Sequence, residues 1–183
     1  MSPERTTLIL AIGNPARLDD GLGPSFAAAI ERRDVETGAT AGRAATNVAA
    51  ETASQPEPDV EVCWDYHLQI EQAEDVARAE RVIFVDADRI GPAPFSLRRV
   101  EPSQEPVRFT SHGVSPSGLL GLTEELHGRR PEAWILGIRG YEFDGFGERL
   151  SGGARDNLTA ALDHISRLLG ISETSRPAGR EHA

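Results

Sequence analysis

The chain has 183 residues, enough for one domain with a full core, and its apolar fraction of 39% is typical of a globular protein. No run of about 18 apolar residues occurs, which excludes a spanning helix and predicts no membrane partner, while a net charge of −10 excludes a nucleic-acid surface built from clustered cations. All 19 basic residues are arginine, which excludes mechanisms that need lysine, and the single cysteine, Cys63, excludes an internal disulfide and favours a reducing cytoplasm.

The first third of the chain predicts a strand, a helix and an insertion. The opening residues, MSPERTTLIL, lack the apolar segment and cleavage site of a signal peptide, so we expect a cytoplasmic protein. Residues 6–12, TTLILAI, are β-branched and apolar, as in a buried strand, and residues 21–33 carry apolar side chains at helical spacing. Residues 37–58 are rich in Ala, Thr, Gly and Pro without a clear period, so we predict a mobile insertion inside the domain.

Strands and helices then alternate as far as residue 169. Further strands are predicted over 60–66, 81–86, 95–100 and 133–138, and further helices over 70–80, 115–127 and 151–169. Prolines on both sides of the fourth strand favour an edge position for it, and a strand pattern around Cys63 favours a core position over a nucleophile. The alternation predicts a single three-layer α/β domain over residues 1–170, with a twisted, mostly parallel five-stranded sheet flanked by helices. Residues 171–183 are polar and predict a flexible tail.

Several polar side chains follow the carboxyl ends of predicted strands, where sites form in parallel sheets. Asp19 and Asp20 follow the first strand, Asp86 and Asp88 end or follow the third, and His112 precedes a helix that begins with Ser-Pro. Two carboxylates and one imidazole suit a borderline divalent cation such as zinc or nickel and leave coordination positions open for water or a substrate oxygen.

Each of these residues also has a structural interpretation. Asp19 or Asp20 can cap the first helix, with the other facing the crevice, and Asp86 can be a cap or turn residue. His112 can be a loop histidine bonded to the backbone, and His67, which follows CWDY, is a weaker candidate for the site.

Four segments, in order, resemble the hydrogenase maturation proteases, the endopeptidases that trim the C-terminus of the nickel-iron hydrogenase large subunit. They are AIGNPARLDDGLGP, VIFVDAD, SHGVSPSGLLGL and AWILGIRGYEF with GERLSGGARDNLTAALDHI, and the match runs from about Ile9 to about Leu169. The resemblance implies one domain with a twisted sheet and a three-residue metal-binding cluster in a cleft. The positions that match this cluster are Asp20, Asp86 and His112.

By this resemblance, the cluster recognises nickel already placed in the immature large subunit, and cleavage of a short C-terminal peptide follows. Either the nickel or another divalent cation such as zinc polarises the scissile carbonyl and a bound water, or Asp20 or Asp86 acts as general base while the metal positions the substrate. Asn14 and Asp19 are candidates for positioning the substrate. We expect a monomer whose partner is the large-subunit precursor.

The chain departs from the family in two stretches, and two other functions compete. The insertion at 37–58 is longer than the family implies, and CWDYHLQIEQAEDVA suggests a different subgroup and hence a different hydrogenase partner. A non-catalytic nickel-checkpoint module would keep the same ligands. A receiver-like signalling domain also pairs acids after its first strand, but it needs a lysine after its fifth strand, and this chain has none.

Overall fold

A five-stranded sheet forms the centre of the molecule. The computed structural model describes residues 6–37, 59–103 and 113–171. Within these ranges the strands are β1 (Thr7–Ile12), β2 (Val60–Asp65), β3 (Arg81–Asp88), β4 (Phe95–Arg99) and β5 (Glu132–Arg139). Their order across the sheet is β2-β1-β3-β5-β4, with β4 antiparallel to β5 and the other neighbours parallel. The mostly parallel five-stranded sheet and the edge position of the fourth strand are therefore confirmed.

Helices cover both faces of this sheet. They are α1 (Leu22–Thr37), α2 (Ala73–Arg78), α3 (Pro116–His127) and α4 (Gly152–Leu169), and short 3-10 turns at Leu18–Gly21 and Ile70–Gln72 precede α1 and α2. α3 begins as its sequence predicts, because the Ser115 hydroxyl accepts a hydrogen bond from the N–H of Gly118 at 3.1 Å and Pro116 follows at the first helical position.

The core has two layers, one on each side of the sheet. Odd-numbered residues of β1 and β3, such as Ile9 and Ile83, pack against α1 and α4. Even-numbered residues, such as Leu8 and Phe84, pack against α2 and α3. Since both faces of these strands are covered, their sequences read as continuous apolar runs, and the predicted three-layer α/β domain is confirmed.

Several predicted details are corrected. Cys63 is exposed, not in the core, because β2 is an edge strand whose side chains are all partly buried or exposed. Ile171, assigned to the tail, is buried in the layer under α1 and α4. β3 extends two residues beyond the predicted end, to Asp88.

Two predicted segments lie largely outside the described residues. Of the insertion at 37–58, only Thr37, the last residue of α1, is described, and residues 172–183 of the predicted tail are likewise outside. In the part of the chain that the structure describes, no helix combines the length and apolarity needed to cross a bilayer.

Candidate active site

The strand order places a crevice at the carboxyl ends of β1 and β3. The chain leaves β1 for β2 on one side and then crosses over to β3 on the other, so these neighbours form a topological switch point, where ligand sites form in open α/β sheets. A cavity of about 370 Å³ opens there. Its lining consists of Ile12, Gly13, Asn14, Arg17, Asp20, Tyr66, His67 and Asp86.

Glycines allow the strand-to-helix connection to fold back on the end of β1. Gly13 has φ +141°, which is unfavourable for any residue with a side chain, and a Cβ there would collide with the carbonyl oxygen of Asp20. A Cβ at Gly23 would collide with the carbonyl oxygen of Ile12. The glycines therefore bring the start of α1 onto the strand end and place Asp20 at the crevice.

Asp20 faces the cavity and is oriented by its own loop. Its Oδ2 accepts the backbone N–H of Asn14 at 3.2 Å. The side-chain carbonyl of Asn14 accepts the N–H of Ala16 at 2.9 Å, which closes a tight Asx turn. Asn14 also lines the cavity, while its predicted contact with a substrate stays a prediction.

Asp19 has a different environment from its neighbour. It is completely buried, and its carboxylate accepts hydrogen bonds from the N–H groups of Tyr141, Glu142 and Ser151 and from the Ser151 hydroxyl, at 2.7–2.8 Å. Burial by itself raises the pKa of Asp19, but these donors outweigh it and the net pKa is lowered. This carboxylate holds the segment after β5 against the segment after β1 and does not line the cavity.

The predicted helix cap at Asp19 or Asp20 is wrong. Both residues lie inside the 3-10 turn that precedes α1, and no side chain caps that turn. The Asp19 carboxylate bonds instead to residues more than a hundred positions away, and the Asp20 carboxylate bonds backward to Asn14. Of the two adjacent aspartates, Asp19 therefore has a structural role and Asp20 lines the cavity.

Asp86 lies on the face of β3 that packs against α2 and α3, and it is the first polar residue on that face. Val82 and Phe84 precede it on the same face of the strand, in the layer under α2 and α3. Burial therefore dominates and raises the pKa of Asp86 to about 7; the hydrogen bond from the N–H of Ala87 acts against this, and the charges of Asp20 and Asp88 add to it. A carboxyl group with a pKa near neutrality is suited to accept and release a proton.

Asp88 is engaged in a turn. Its Oδ1 accepts the N–H groups of Ile90 and Gly91 at 3.0 and 2.7 Å, and these bonds, helped by the charge of Arg139, lower its pKa. It does not line the cavity, which distinguishes it from Asp86 two residues earlier.

His112 lies outside the described residues, so its predicted role as a ligand stays a prediction. Gly113 is described, and a Cβ on it would collide with the carbonyl oxygen of Leu68 and the His67 ring. The N–H of Val114 donates to the same Leu68 oxygen at 3.2 Å. Within the described ranges, no three His, Cys, Asp or Glu side chains come together as a group able to hold a metal ion.

Sequence reasoning missed part of the cavity lining. Tyr66 and His67, directly after β2, form one wall, and Arg17 adds a positive charge beside the two carboxylates. The available signal was their position after a strand, because the carboxyl ends of parallel strands meet at one edge. His67 was named only as a weaker candidate, and Tyr66 and Arg17 were not named.

Solved structures share this fold. The [NiFe] hydrogenase maturation protease HycI from Thermococcus kodakarensis is 19% identical, with a TM-score of 0.60 over 92% of this chain and 95% of that one. The hydrogenase maturating endopeptidase HybD from E. coli is 16% identical, with a TM-score of 0.61 over 90% and 92%. The endopeptidase HycI from Escherichia coli is 19% identical, with a TM-score of 0.56 over 92% and 99%. The fold implied by the sequence resemblance is therefore confirmed.

Sequence comparison adds no closer relative. No protein-family model matches the chain, and a search of curated proteins gives no significant match. The strand order also argues against a receiver-like domain, whose order is 2-1-3-4-5, because here β5 lies beside β3 and an antiparallel β4 takes the edge.

Proposed function

We propose that this chain is an endopeptidase that removes a C-terminal peptide from the nickel-loaded precursor of a nickel-iron hydrogenase large subunit. One observation carries the proposal: Asp20 and Asp86, from different strand ends, line one cavity at the switch point of a fold shared with hydrogenase maturation proteases. The chain acts in the cytoplasm, as a monomer that meets the precursor transiently.

The nickel in this proposal belongs to the substrate. Two carboxylates in a polar, open cavity suit a divalent cation that arrives inside the precursor, with His112 as the third ligand. The metal then fixes the tail of the precursor relative to Asp20 and Asp86, so that a precursor without nickel is not held for cleavage.

Asp86 is the group that we assign to proton transfer. In the chain without a metal its pKa is about 7, and in the complex it accepts a proton from the attacking water as the water adds to the scissile carbonyl. The same proton then passes to the leaving amine as the carbon–nitrogen bond breaks, which restores the carboxylate. Of the two mechanisms that the sequence left open, we propose the one in which a carboxylate is the base and the metal positions the substrate.

Intact mass spectrometry of the precursor tests the function directly. Nickel-loaded and nickel-free forms of a large-subunit precursor are incubated with this chain, and their masses are compared before and after incubation. We expect loss of a C-terminal peptide from the loaded form alone. Equal cleavage of both forms would contradict nickel gating, and precursor that is bound but uncut would favour the non-catalytic checkpoint module.

Variants at the neighbouring carboxylates separate the site from general acidity. Asp20→Asn keeps the size of a cavity side chain but removes its charge, so we expect loss of processing. Asp88→Asn is the matched control, because its remaining side-chain oxygen still accepts the turn hydrogen bonds and lies outside the cavity lining. Equal loss in both variants would contradict the assignment of Asp20.

Two histidine variants decide which imidazole serves the site. We expect His112→Ala to abolish processing and nickel-dependent precursor binding while leaving thermal unfolding unchanged. His67→Ala removes an exposed side chain of the cavity wall and should reduce processing less. The reverse order would assign the ligand role to His67.

A further inference from the structure

Two loops beside the crevice are joined by hydrogen bonds and by contacts of one arginine side chain. We define the β3 loop as residues 88–91 and the β5 loop as residues 140–149. The guanidinium of Arg89 lies 4.3 Å from the centre of the Phe143 ring and 3.7 Å from the Asp144 carboxylate. The N–H of Gly140 donates to the Asp88 carbonyl at 3.0 Å, and the Arg139 guanidinium donates to the carbonyl of Arg89.

The β5 loop is also fixed to the turn that carries the adjacent aspartates. Leu18 donates its N–H to the Gly147 carbonyl at 2.9 Å, and Gly147 donates its own to the Ala16 carbonyl at 2.8 Å. The buried Asp19 carboxylate accepts two backbone N–H groups near the start of this loop. The loop is therefore held from both sides by backbone hydrogen bonds and a buried charge.

These fixed loops expose two large apolar side chains. Ile90 in the β3 loop is 92% exposed and Phe146 in the β5 loop is 89% exposed, more than any other large apolar side chain in the described ranges. An exposed aromatic side chain on a preordered backbone loses little entropy on binding, which is the character of an interface hot spot.

Two ion pairs lie within the two loops, and Glu148 adds a further acidic residue beside Phe146. Arg89 pairs with Asp144, and Arg149 pairs with Glu142 at 3.0 Å. The two most exposed large side chains of this surface are nevertheless apolar, and they suit an apolar patch on a partner.

The same surface is continuous with the cavity. Arg17 lines the cavity and forms a parallel backbone bridge with Gly147, the residue after Phe146. Asp86, also in the cavity, lies two residues before Asp88, which accepts the N–H of Ile90. The two loops that carry Ile90 and Phe146 therefore adjoin residues of the cavity lining.

We propose that Ile90 and Phe146 form a docking pad for an apolar patch on the folded body of the precursor whose C-terminal tail enters the cavity. This inference rests on the proposed function and adds its recognition surface. The pad supplies affinity for the folded precursor, while the carboxylates act on the tail. Asp19 serves as a positioning residue, because its hydrogen bonds hold the loop that presents Phe146.

The test measures binding and cleavage separately. Affinity of the nickel-loaded precursor for the wild-type chain and for an Ile90→Ala, Phe146→Ala double variant is measured by biolayer interferometry, and cleavage by intact mass. We expect a Kd about ten- to thirtyfold weaker in the double variant, with the cleavage rate at saturating precursor unchanged. A Leu126→Ala, Leu168→Ala double variant is the matched control, because these side chains are 63% and 50% exposed near the C-terminal ends of α3 and α4.

The outcomes distinguish failure of the pad from failure of the function. Cleavage by the wild-type chain with an unchanged Kd in the pad variant overturns the docking proposal alone. No binding and no cleavage by the wild-type chain overturns both proposals. If sedimentation shows a wild-type dimer that the pad variant loses, with precursor affinity unchanged, a second copy of this chain occupies the surface and the proposal is wrong.

Discussion

Two cavities in the described part of the chain, at opposite ends of the parallel strands, place their carboxyl groups in different electrostatic environments. At the amino end of β5, a cavity of about 230 Å³ contains Glu101, whose carboxylate lies 2.8 Å from Arg130 and 3.0 Å from Arg99. The hydrogen bond from Arg130 and the neighbouring cations lower the pKa of Glu101. At the carboxyl edge, burial and the charges of Asp20 and Asp88 raise the pKa of Asp86. The same kind of group is an ion-pair partner in one place and a proton acceptor in the other.

This difference indicates which cavity can perform chemistry. A carboxylate that is paired and exposed stays ionised and satisfied, so it has little to offer a substrate. A carboxyl group that is desolvated beside other carboxylates gains by binding a proton or a cation. The comparison therefore predicts large functional effects at the carboxyl edge and small ones at the amino end.

The largest expected effect is on catalysis at Asp86. Asp86→Asn preserves the shape of the side chain but removes the group that accepts the proton, so we expect processing of the nickel-loaded precursor to fall by about 10²–10⁴-fold. The measurement is the single-turnover rate of peptide release. Glu101→Gln is the matched control at the other cavity and should process at the wild-type rate. A wild-type rate in Asp86→Asn would remove Asp86 from the mechanism.

The next effect is on stability at Asp19. Asp19→Ala leaves the N–H groups of Tyr141, Glu142 and Ser151 and the Ser151 hydroxyl without their buried acceptor. We expect the free energy of unfolding to fall by about 3–5 kcal/mol, measured by urea denaturation near pH 7, where the carboxylate is ionised. Because the pKa of Asp19 is lowered, its contribution is present above the unfolded value of 3.8 and is lost as the pH falls below it.

The control for Asp19 is an exposed aspartate in the loop that it holds. Asp144 has a side chain that is 98% exposed and pairs with Arg89 at 3.7 Å. Asp144→Ala should therefore change the free energy of unfolding little. Equal destabilisation in both variants would mean that any loss of charge in this region disturbs the fold, and the buried hydrogen bonds would not be the cause.

A third prediction concerns the pH dependence of stability in the metal-free chain. The folded state binds a proton at Asp86 more tightly than the unfolded state, since the pKa rises from 3.8 to about 7. The stabilisation is present below the unfolded pKa and is lost as the pH rises through about 7, by up to about 4 kcal/mol. The Asn side chain does not titrate, so the free energy of unfolding of Asp86→Asn should rise relative to that of the wild type as the pH increases from about 4 to about 8. Parallel curves over this range would contradict the raised pKa.

Much of this arrangement could be predicted from the sequence because it depends on local patterns. The apolar runs at 6–12 and 81–86 identify strands that are covered on both faces, and the carboxyl-edge rule brings Asp20 and Asp86 to one crevice. These signals use residues that are close in sequence or equivalent along parallel strands. The strand-end rule alone also placed Asp19 and Asp88 at the crevice, and it was the family resemblance that selected Asp20 and Asp86.

The role of Asp19 could not be predicted in the same way. Its four donors lie 122–132 residues away, in the segment from the end of β5 to the start of α4. The local rule for an acid before a helix therefore predicted a helix cap instead. Cys63 was placed in the core because a strand pattern does not reveal whether the strand lies at an edge. Both errors come from tertiary partners that the local sequence does not encode.

The smallest expected effect is at Glu101, and it tests the other half of the comparison. Its carboxylate is fully satisfied by Arg99 and Arg130, but all three side chains are more than half exposed, so water screens the pairs. Glu101→Gln should therefore leave the midpoint of thermal unfolding at pH 7 nearly unchanged. Because the pKa of Glu101 is lowered, any small difference should vanish as the pH falls through its folded value, the opposite direction to Asp86. A difference that grew on acidification would mean that the amino-end cavity also contains a carboxyl group whose pKa is raised.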